Sequence, residues 1–244
     1  MLFVADASGR FLEGRGPALH ALTFEQLQAY DVGRLKPGTD YARNYPDQQP
    51  VDGARIPRLA DLFALVAKSG KDKVRFAIET KLHPERPEET PPPEAFARIV
   101  VDEIYKAGVA SRSQILSFDW RTLQVVQRIA PEIPTVYLSI QRRMDNIQAS
   151  NAAGSPWTAG FQYGTHGSVP KMIKAAGGAC WSVFFNDLTP ALLQEARTLG
   201  LKVLVWTVND PIAMGRMLDL GVDGLITDRP DLAVQVLRAR GMRW

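Results

Sequence analysis

Short apolar runs alternate with amphipathic segments over the last two thirds of the chain. Each run is five to eight residues long, the usual length of buried strands in a parallel sheet. The intervening segments place apolar residues at helical spacing, as Phe96, Ile99 and Ile104 do. Such alternation predicts an α/β fold in which helices cover a parallel sheet. The predicted strands are 74–81, 114–119, 134–140, 179–184, 202–208 and 224–228, and the predicted helices are 94–107, 120–130, 168–176, 189–199, 210–220 and 229–240.

The first 55 residues lack this rhythm and are rich in Gly and Pro. Helices are predicted at about 23–30, which Thr23 can cap, and at 56–70, and no strand is predicted before 74. Two irregular segments follow strand ends further along. One is the Pro- and acid-rich stretch 85–93, and the other is an insertion loop at 141–167. Loops at the carboxyl ends of parallel strands often form active sites, so we expect both to be functional or mobile.

Six strands leave two architectures open. A closed (β/α)8 barrel needs eight strands. The sequence contains neither a Gly-rich dinucleotide motif nor a P-loop, which weakens a nucleotide-binding interpretation. Pattern alone therefore fits either an open doubly wound sheet or a barrel that lacks its first two strands.

Composition excludes several classes of protein. The 244 residues are 45% apolar and carry a net charge of +3, which excludes disorder and gives no argument for nucleic-acid binding. No apolar run reaches the length of a membrane span, and the first residues lack the pattern of a signal peptide. Cys180 is the single cysteine, so neither an internal disulfide nor a cysteine zinc site is expected.

The first predicted strand carries two charges near its end. Alternate side chains of a strand share a face, so Glu79 and Lys81 point to one side while Phe76 and Ile78 point to the other. The apolar side should meet the helices, and the charged side should face inward. Charges in that position are either a structural ion pair or part of a polar site. Because burying charged groups is energetically costly, a polar site is the favoured interpretation.

Other strand ends carry polar or aromatic residues, each of which could have a role in a site or a structural role. Trp206 could line a pocket and Asn209 could donate to an oxygen-rich substrate. Alternatively, Trp206 fills the core, and Asn209 or Asp210 caps the next helix. For Asp119 a helix cap is the favoured role, and for Asp228 a cap or a turn.

The histidines show no spacing typical of metal ligands. His20, His83 and His166 are each expected in solvated loops, although His83 is near enough to the first strand's end to touch a site there. Cys180 is expected to be an inert core thiol. The glutamates of 85–93 are expected to be solvated.

The order of motifs identifies a family resemblance. IETK, QILSFDWRTL, PEIPTVYL, VWTVNDP and LGVDGLITDRPDL, preceded by PVDGARIPRLADLFALV, resemble the sequence of glycerophosphodiester phosphodiesterases from about residue 6 to 236. The resemblance implies a TIM-barrel domain that hydrolyses small-molecule glycerophosphodiesters to sn-glycerol 3-phosphate and an alcohol. It also implies a divalent metal, Ca²⁺ or Mg²⁺.

The resemblance assigns three site residues. Glu79 matches a metal-ligand carboxylate, Lys81 a lysine that contacts phosphate oxygens, and Trp206 an aromatic residue near the glycerol. The six predicted strands then match the third to eighth of the family barrel. Residues 1–244 would form one domain that is incomplete at the N-terminus.

The family's remaining motifs have no match. Its two catalytic histidines lie in a His-Arg-Gly and a His-Asp motif, and a Glu-x-Asp metal motif lies between them; this sequence has none of the three. Glu79 alone should bind metal weakly, and no residue is placed to transfer protons. Three hypotheses follow: a family enzyme whose sequence is shortened at the N-terminus, a non-catalytic phosphate-binding or interaction protein, or another metal-dependent TIM-barrel phosphodiesterase.

Several properties stay undecided by the sequence. These are the leaving alcohol, the metal, the oligomeric state and the compartment. The sequence as written suggests the cytoplasm, whereas a preceding leader would allow a periplasmic or secreted protein.

Overall fold

Six parallel strands form one sheet in sequential order, from β1 to β6. The computed structural model describes residues 4–142 and 144–242. Strand order does not reverse anywhere, whereas a doubly wound sheet reverses at a switch point. The sheet is therefore a half-barrel, and the prediction of a barrel-type α/β fold with six parallel strands is confirmed. The strands are β1 (Phe76–Glu79), β2 (Ser113–Ser117), β3 (Thr135–Ser139), β4 (Cys180–Phe184), β5 (Lys202–Trp206) and β6 (Gly224–Leu225).

Helices follow the strands as predicted. Two four-residue helices, Asp40–Arg43 and Tyr163–His166, were not predicted because one turn is too short to show a helical period. No helix of the described residues is long and apolar enough to cross a membrane. The α-helices are α1 (Phe24–Leu27), α2 (Asp40–Arg43), α3 (Leu59–Lys68), α4 (Pro93–Lys106), α5 (Trp120–Ile129), α6 (Tyr163–His166), α7 (Val169–Ala175), α8 (Pro190–Thr198), α9 (Pro211–Leu220) and α10 (Pro230–Ala239).

The chain divides into two compact units. The first comprises Met1–Val74 and Arg86–Pro92, and its described part contains only isolated β-bridges rather than strands. Asp31 organises a turn there, because its carboxylate accepts from the backbone N–H of Gly53 at 2.6 Å and of Gly33 at 2.9 Å. These two bonds hold the pKa of Asp31 below its usual value.

Glu85 and Glu88 are exposed, in agreement with the predicted solvated acidic loop, whereas Glu89 is half-buried and ion-paired. Its carboxylate pairs with Arg15 at 2.6 Å and with Arg86 at 3.2 Å, all within the first unit. Its backbone carbonyl lies 2.8 Å from Nδ1 of His20, which is exposed as expected, although it lies in the short 3-10 helix Leu19–Ala21. Arg15 lies far away in sequence, so local pattern gave no sign of this pairing.

The second unit, Arg75–Glu85 with Pro93–Trp244, contains the sheet. Where the sheet meets its helices, the phenol of Tyr137 is fully buried and donates to the carbonyl of Ala176 at 2.9 Å. The side-chain amides of Gln124 and Gln127, both from α5, donate to the phenol oxygen of Tyr137. Burial raises the pKa of Tyr137 to about 12.

The opposite face of the sheet carries an apolar cluster. Leu116, Val136, Leu138 and Cys180 are buried in it. Burial raises the pKa of the Cys180 thiol to about 12, in agreement with the predicted inert core thiol. Phe118, Leu204, Trp206 and Ile226 pack against this cluster and stay partly exposed.

Candidate functional site

The end of β1 presents a charged pair on the side away from the helices. Glu79 and Lys81 are 33% and 79% exposed, and Nζ lies 3.5 Å from Oε1. Phe76 and Thr80 point the other way and are buried. The structure thus reproduces the predicted alternation of faces. Because both side chains are exposed, the pair contributes little to stability and is accessible to a ligand.

Trp206 lies at the end of β5 on the same face of the sheet. Its ring meets Phe118 edge-on, with centroids 5.2 Å apart, and lies 5.5 Å from Phe184. The indole N–H donates to the carbonyl of Ser182 at 3.1 Å. Trp206 therefore offers ring surface rather than a hydrogen-bond donor, and its ring packs against the cluster while it stays partly exposed at the carboxyl end of β5.

The polar residues after β5 are used within the fold. Asp210 caps α9 by accepting from the N–H of Ala213 at 2.7 Å. Asn209 accepts from the N–H of Asp228 at 2.9 Å and donates to its carboxylate at 3.0 Å. Asn209 therefore joins the loops after β5 and β6. Asp228 has a turn role, one of its two predicted alternatives.

The loop after β2 begins a helix, as predicted. Asp119 is fully buried and caps α5 by accepting from the N–H of Arg121 at 3.1 Å. The guanidinium of Arg121 binds the same carboxylate, with 2.9 Å between Nε and Oδ1. Asp119 therefore has a structural role, because its oxygens face donors of its own helix.

Asn146 anchors the insertion 141–167 to the strand ends. Its side chain is fully buried, accepts from the N–H of Ile140 at 2.8 Å, and donates to the carbonyls of Leu138 at 3.2 Å and Phe118 at 3.3 Å. The hydroxyl of Ser155 donates to the Asn146 carbonyl. This part of the insertion is packed, and the sequence analysis did not single out Asn146.

Asp187, from the loop after β4, is a second residue that the sequence analysis missed. Its side chain is 6% exposed and accepts from the N–H of Gln141 at 2.8 Å and from Nε of Arg142 at 2.9 Å. Nothing in the local pattern marks it, because its partners follow β3. The contact fixes the start of the insertion beside β4.

His83 and His166 differ in their surroundings. The ring of His83 lies 4.7 Å from that of Trp157, an insertion residue, at a steep angle of 65°. His166 ends α6 instead of lying in a loop, and its ring is 6.1 Å from Phe161. Both are half-buried, so neither is the solvated loop histidine that was expected.

The described residues do not form a complete site for a divalent cation. They contain no group of three or more His, Cys, Asp or Glu side chains that could hold a metal ion. Ca²⁺ and Mg²⁺ need about six oxygen ligands, whereas Glu79 supplies one carboxylate.

The fold and this charged strand end define a class. The class is that of (β/α)-barrel proteins with a polar site at the carboxyl ends of the strands. The model of the glycerophosphoryl diester phosphodiesterase family matches residues 5–232. The chain belongs to this family.

Individual relatives agree with that assignment. A crystal structure of a candidate glycerophosphoryl diester phosphodiesterase from Silicibacter pomeroyi is 32% identical, with a TM-score of 0.85, and the match covers 100% of this chain and 77% of that one. A glycerophosphodiester phosphodiesterase from Caldanaerobacter subterraneus is 24% identical over 90% of this chain and 72% of its own length. An Oleispira antarctica phosphodiesterase, solved with sn-glycerol-3-phosphate, shares the fold at 17% identity and a TM-score of 0.60.

Proposed function

We propose that this chain binds glycerophosphodiesters and takes part in their hydrolysis to sn-glycerol 3-phosphate and an alcohol. The observation that carries the proposal is the Glu79–Lys81 pair, accessible at the carboxyl end of β1 in a chain of this family. That end of a parallel strand is where barrel proteins place their ligands.

Each site residue has a separate role in the proposal. The Lys81 ammonium contacts phosphate oxygens, for which its high exposure leaves it free to reorient. Trp206 offers partly exposed ring surface to the carbon atoms of glycerol. Glu79 contributes one carboxylate to Ca²⁺ or Mg²⁺.

A second candidate function is binding without turnover. Hydrolysis of a phosphodiester needs a base and an acid for the leaving alcohol, and Glu79, Lys81 and Trp206 do not supply both. The incomplete ligand set among the described residues favours this candidate for the chain on its own.

Calorimetry with the 244-residue chain tests both candidates. Titration with sn-glycerol 3-phosphate should show binding, and Lys81→Met should weaken it about tenfold, because a charge-assisted hydrogen bond is lost. Lys171→Met is the matched control. Lys171 also pairs with a glutamate, Glu195, and is 54% exposed, but it lies on α7.

Turnover separates the two candidates. Release of sn-glycerol 3-phosphate from glycerophosphoglycerol, measured with a coupled dehydrogenase, should require Ca²⁺ or Mg²⁺ and should fall in Glu79→Gln if the chain hydrolyses the diester. Binding without release supports the non-catalytic function. Equal affinities of the Lys81→Met and Lys171→Met variants, or absence of binding, would contradict both.

A further inference from the structure

His83 shares a side of the chain with Glu79 and Lys81. Burial alternates beyond the end of β1, where Thr80 and Leu82 are buried at 0% and 6% exposure while Lys81 is exposed and His83 is half-buried. By this alternation, His83 belongs to the same side of the chain as Glu79 and Lys81. It follows Lys81 in the outward direction, past the end of the strand.

The His83 ring is held in place by the insertion. Trp157 is 7% exposed and meets the imidazole at 65°, with centroids 4.7 Å apart. The Trp157 carbonyl in turn accepts from the N–H of Trp120, the first residue of α5, at 2.8 Å. A packed indole thus restricts the rotation of the imidazole.

One tautomer of His83 fits its hydrogen bond. The backbone N–H of Glu85 donates to Nδ1 at 3.3 Å, so Nδ1 is the acceptor and the neutral ring carries its proton on Nε2. Among the residues that the structure describes, no hydrogen bond to Nε2 is found. The half-buried imidazole, two residues after Lys81, therefore offers Nε2–H as an oriented donor.

We propose that His83 contacts the alcohol half of the diester and donates its Nε2–H to a hydroxyl oxygen there. This inference rests on the proposed function, in which Lys81 takes the phosphate and Trp206 the glycerol of the product. His83 lies farther out, where the departing alcohol extends. The preferred substrates are then diesters of polyols such as glycerol, rather than diesters of choline, whose bound form has no hydroxyl.

Binding of three probes by the full chain tests the proposal. These are glycerophosphoglycerol, glycerophosphocholine and sn-glycerol 3-phosphate, which has no alcohol half. The chain should bind glycerophosphoglycerol about fivefold more tightly than glycerophosphocholine, the value of one neutral hydrogen bond. His83→Phe keeps a ring against Trp157 and should abolish this preference, while His83→Gln keeps a terminal N–H and should retain part of it.

Two controls distinguish contact from structural support. His166→Phe, a change at the other half-buried histidine of the second unit, should leave the preference intact. The affinity for sn-glycerol 3-phosphate should stay unchanged in every histidine variant. The ¹⁵N signals of the His83 ring should report the Nε2–H tautomer and should shift with glycerophosphoglycerol but not with sn-glycerol 3-phosphate, a readout that does not depend on folding of a variant.

The results that would overturn the role of His83 differ from those that would overturn the proposed function. An unchanged preference in His83→Phe, or ring signals that do not respond to glycerophosphoglycerol, overturns the role of His83 and leaves the proposed function standing. Equal loss of affinity for all three probes shows a structural role only and also overturns it. Failure of the unaltered chain to bind any probe overturns the proposed function, and this inference with it.

Discussion

Replacement of Asn146 by alanine tests whether one buried amide fixes the insertion to the sheet. The change removes the acceptor of the Ile140 N–H at 2.8 Å and the donors to two backbone carbonyls at 3.2 and 3.3 Å. A buried donor left unpaired costs about 1–3 kcal/mol, and each lost neutral bond about 1 kcal/mol. Because the carbonyl bonds are long, we expect the free energy of unfolding to fall by about 3 kcal/mol.

Urea unfolding followed by circular dichroism measures this loss, with Asn186→Ala as the control. Asn186 is exposed, so its replacement should change the free energy of unfolding by less than about 0.5 kcal/mol. Hydrogen exchange gives a local readout, because the Ile140 amide should lose protection in Asn146→Ala. A loss below about 1 kcal/mol, or a fully protected Ile140 amide, would refute the reasoning.

Asn146→Asp adds a dependence on pH. The carboxylate keeps the acceptor for Ile140 but faces two carbonyl oxygens, which raises its pKa in the folded state. The unfolded chain then releases its proton first as pH rises. The variant should therefore be destabilised more at about pH 7 than at about pH 4, and equal destabilisation at both would contradict the assigned donors.

Two further predictions concern a buried thiol and a closely packed glycine. The pKa of Cys180 is about 12 in the folded chain, against an ordinary value of 9.0. Between these values the unfolded state loses the proton while the folded state keeps it, so the free energy of unfolding should fall as pH rises above 9.0. Cys180→Ala should flatten that fall, and an identical slope would contradict the burial. Gly33→Ala should destabilise the first unit by about 3 kcal/mol or more, because its Cβ would lie 1.8 Å from the carbonyl oxygen of Val51. Thermal unfolding measures this loss, and in the same assay Gly164→Ala, whose Cβ meets open space, should be neutral.

Local pattern predicted most elements of this chain. The strands and longer helices lie where apolar period and capping residues placed them, and Thr23, Asp119 and Asp210 accept the predicted backbone bonds. These interactions join residues within three positions of each other, so the sequence contains both partners side by side. Alternation along β1 likewise placed Glu79 and Lys81 on one face.

Polar residues with distant partners could not be assigned in this way. Asn146 and Asp187 look like ordinary loop residues, and Glu89 looks like a solvated one. Each is bound by groups from other segments of its own unit. Periodicity has no signal for such a pairing, because burial of a polar group depends on which donors the fold brings to it.

The sequence by itself determined the elements, the faces of β1 and, through ordered motifs, the family to which the chain belongs. The tertiary structure decided that the sheet follows barrel order instead of a doubly wound order. It also decided that the Trp206 N–H is used within the sheet, and that Trp157 orients His83. The physical reason is the sequence separation of the interacting residues. Helical and strand periods are set by neighbouring residues, whereas strand order and ring contacts are set by packing between segments far apart in the chain.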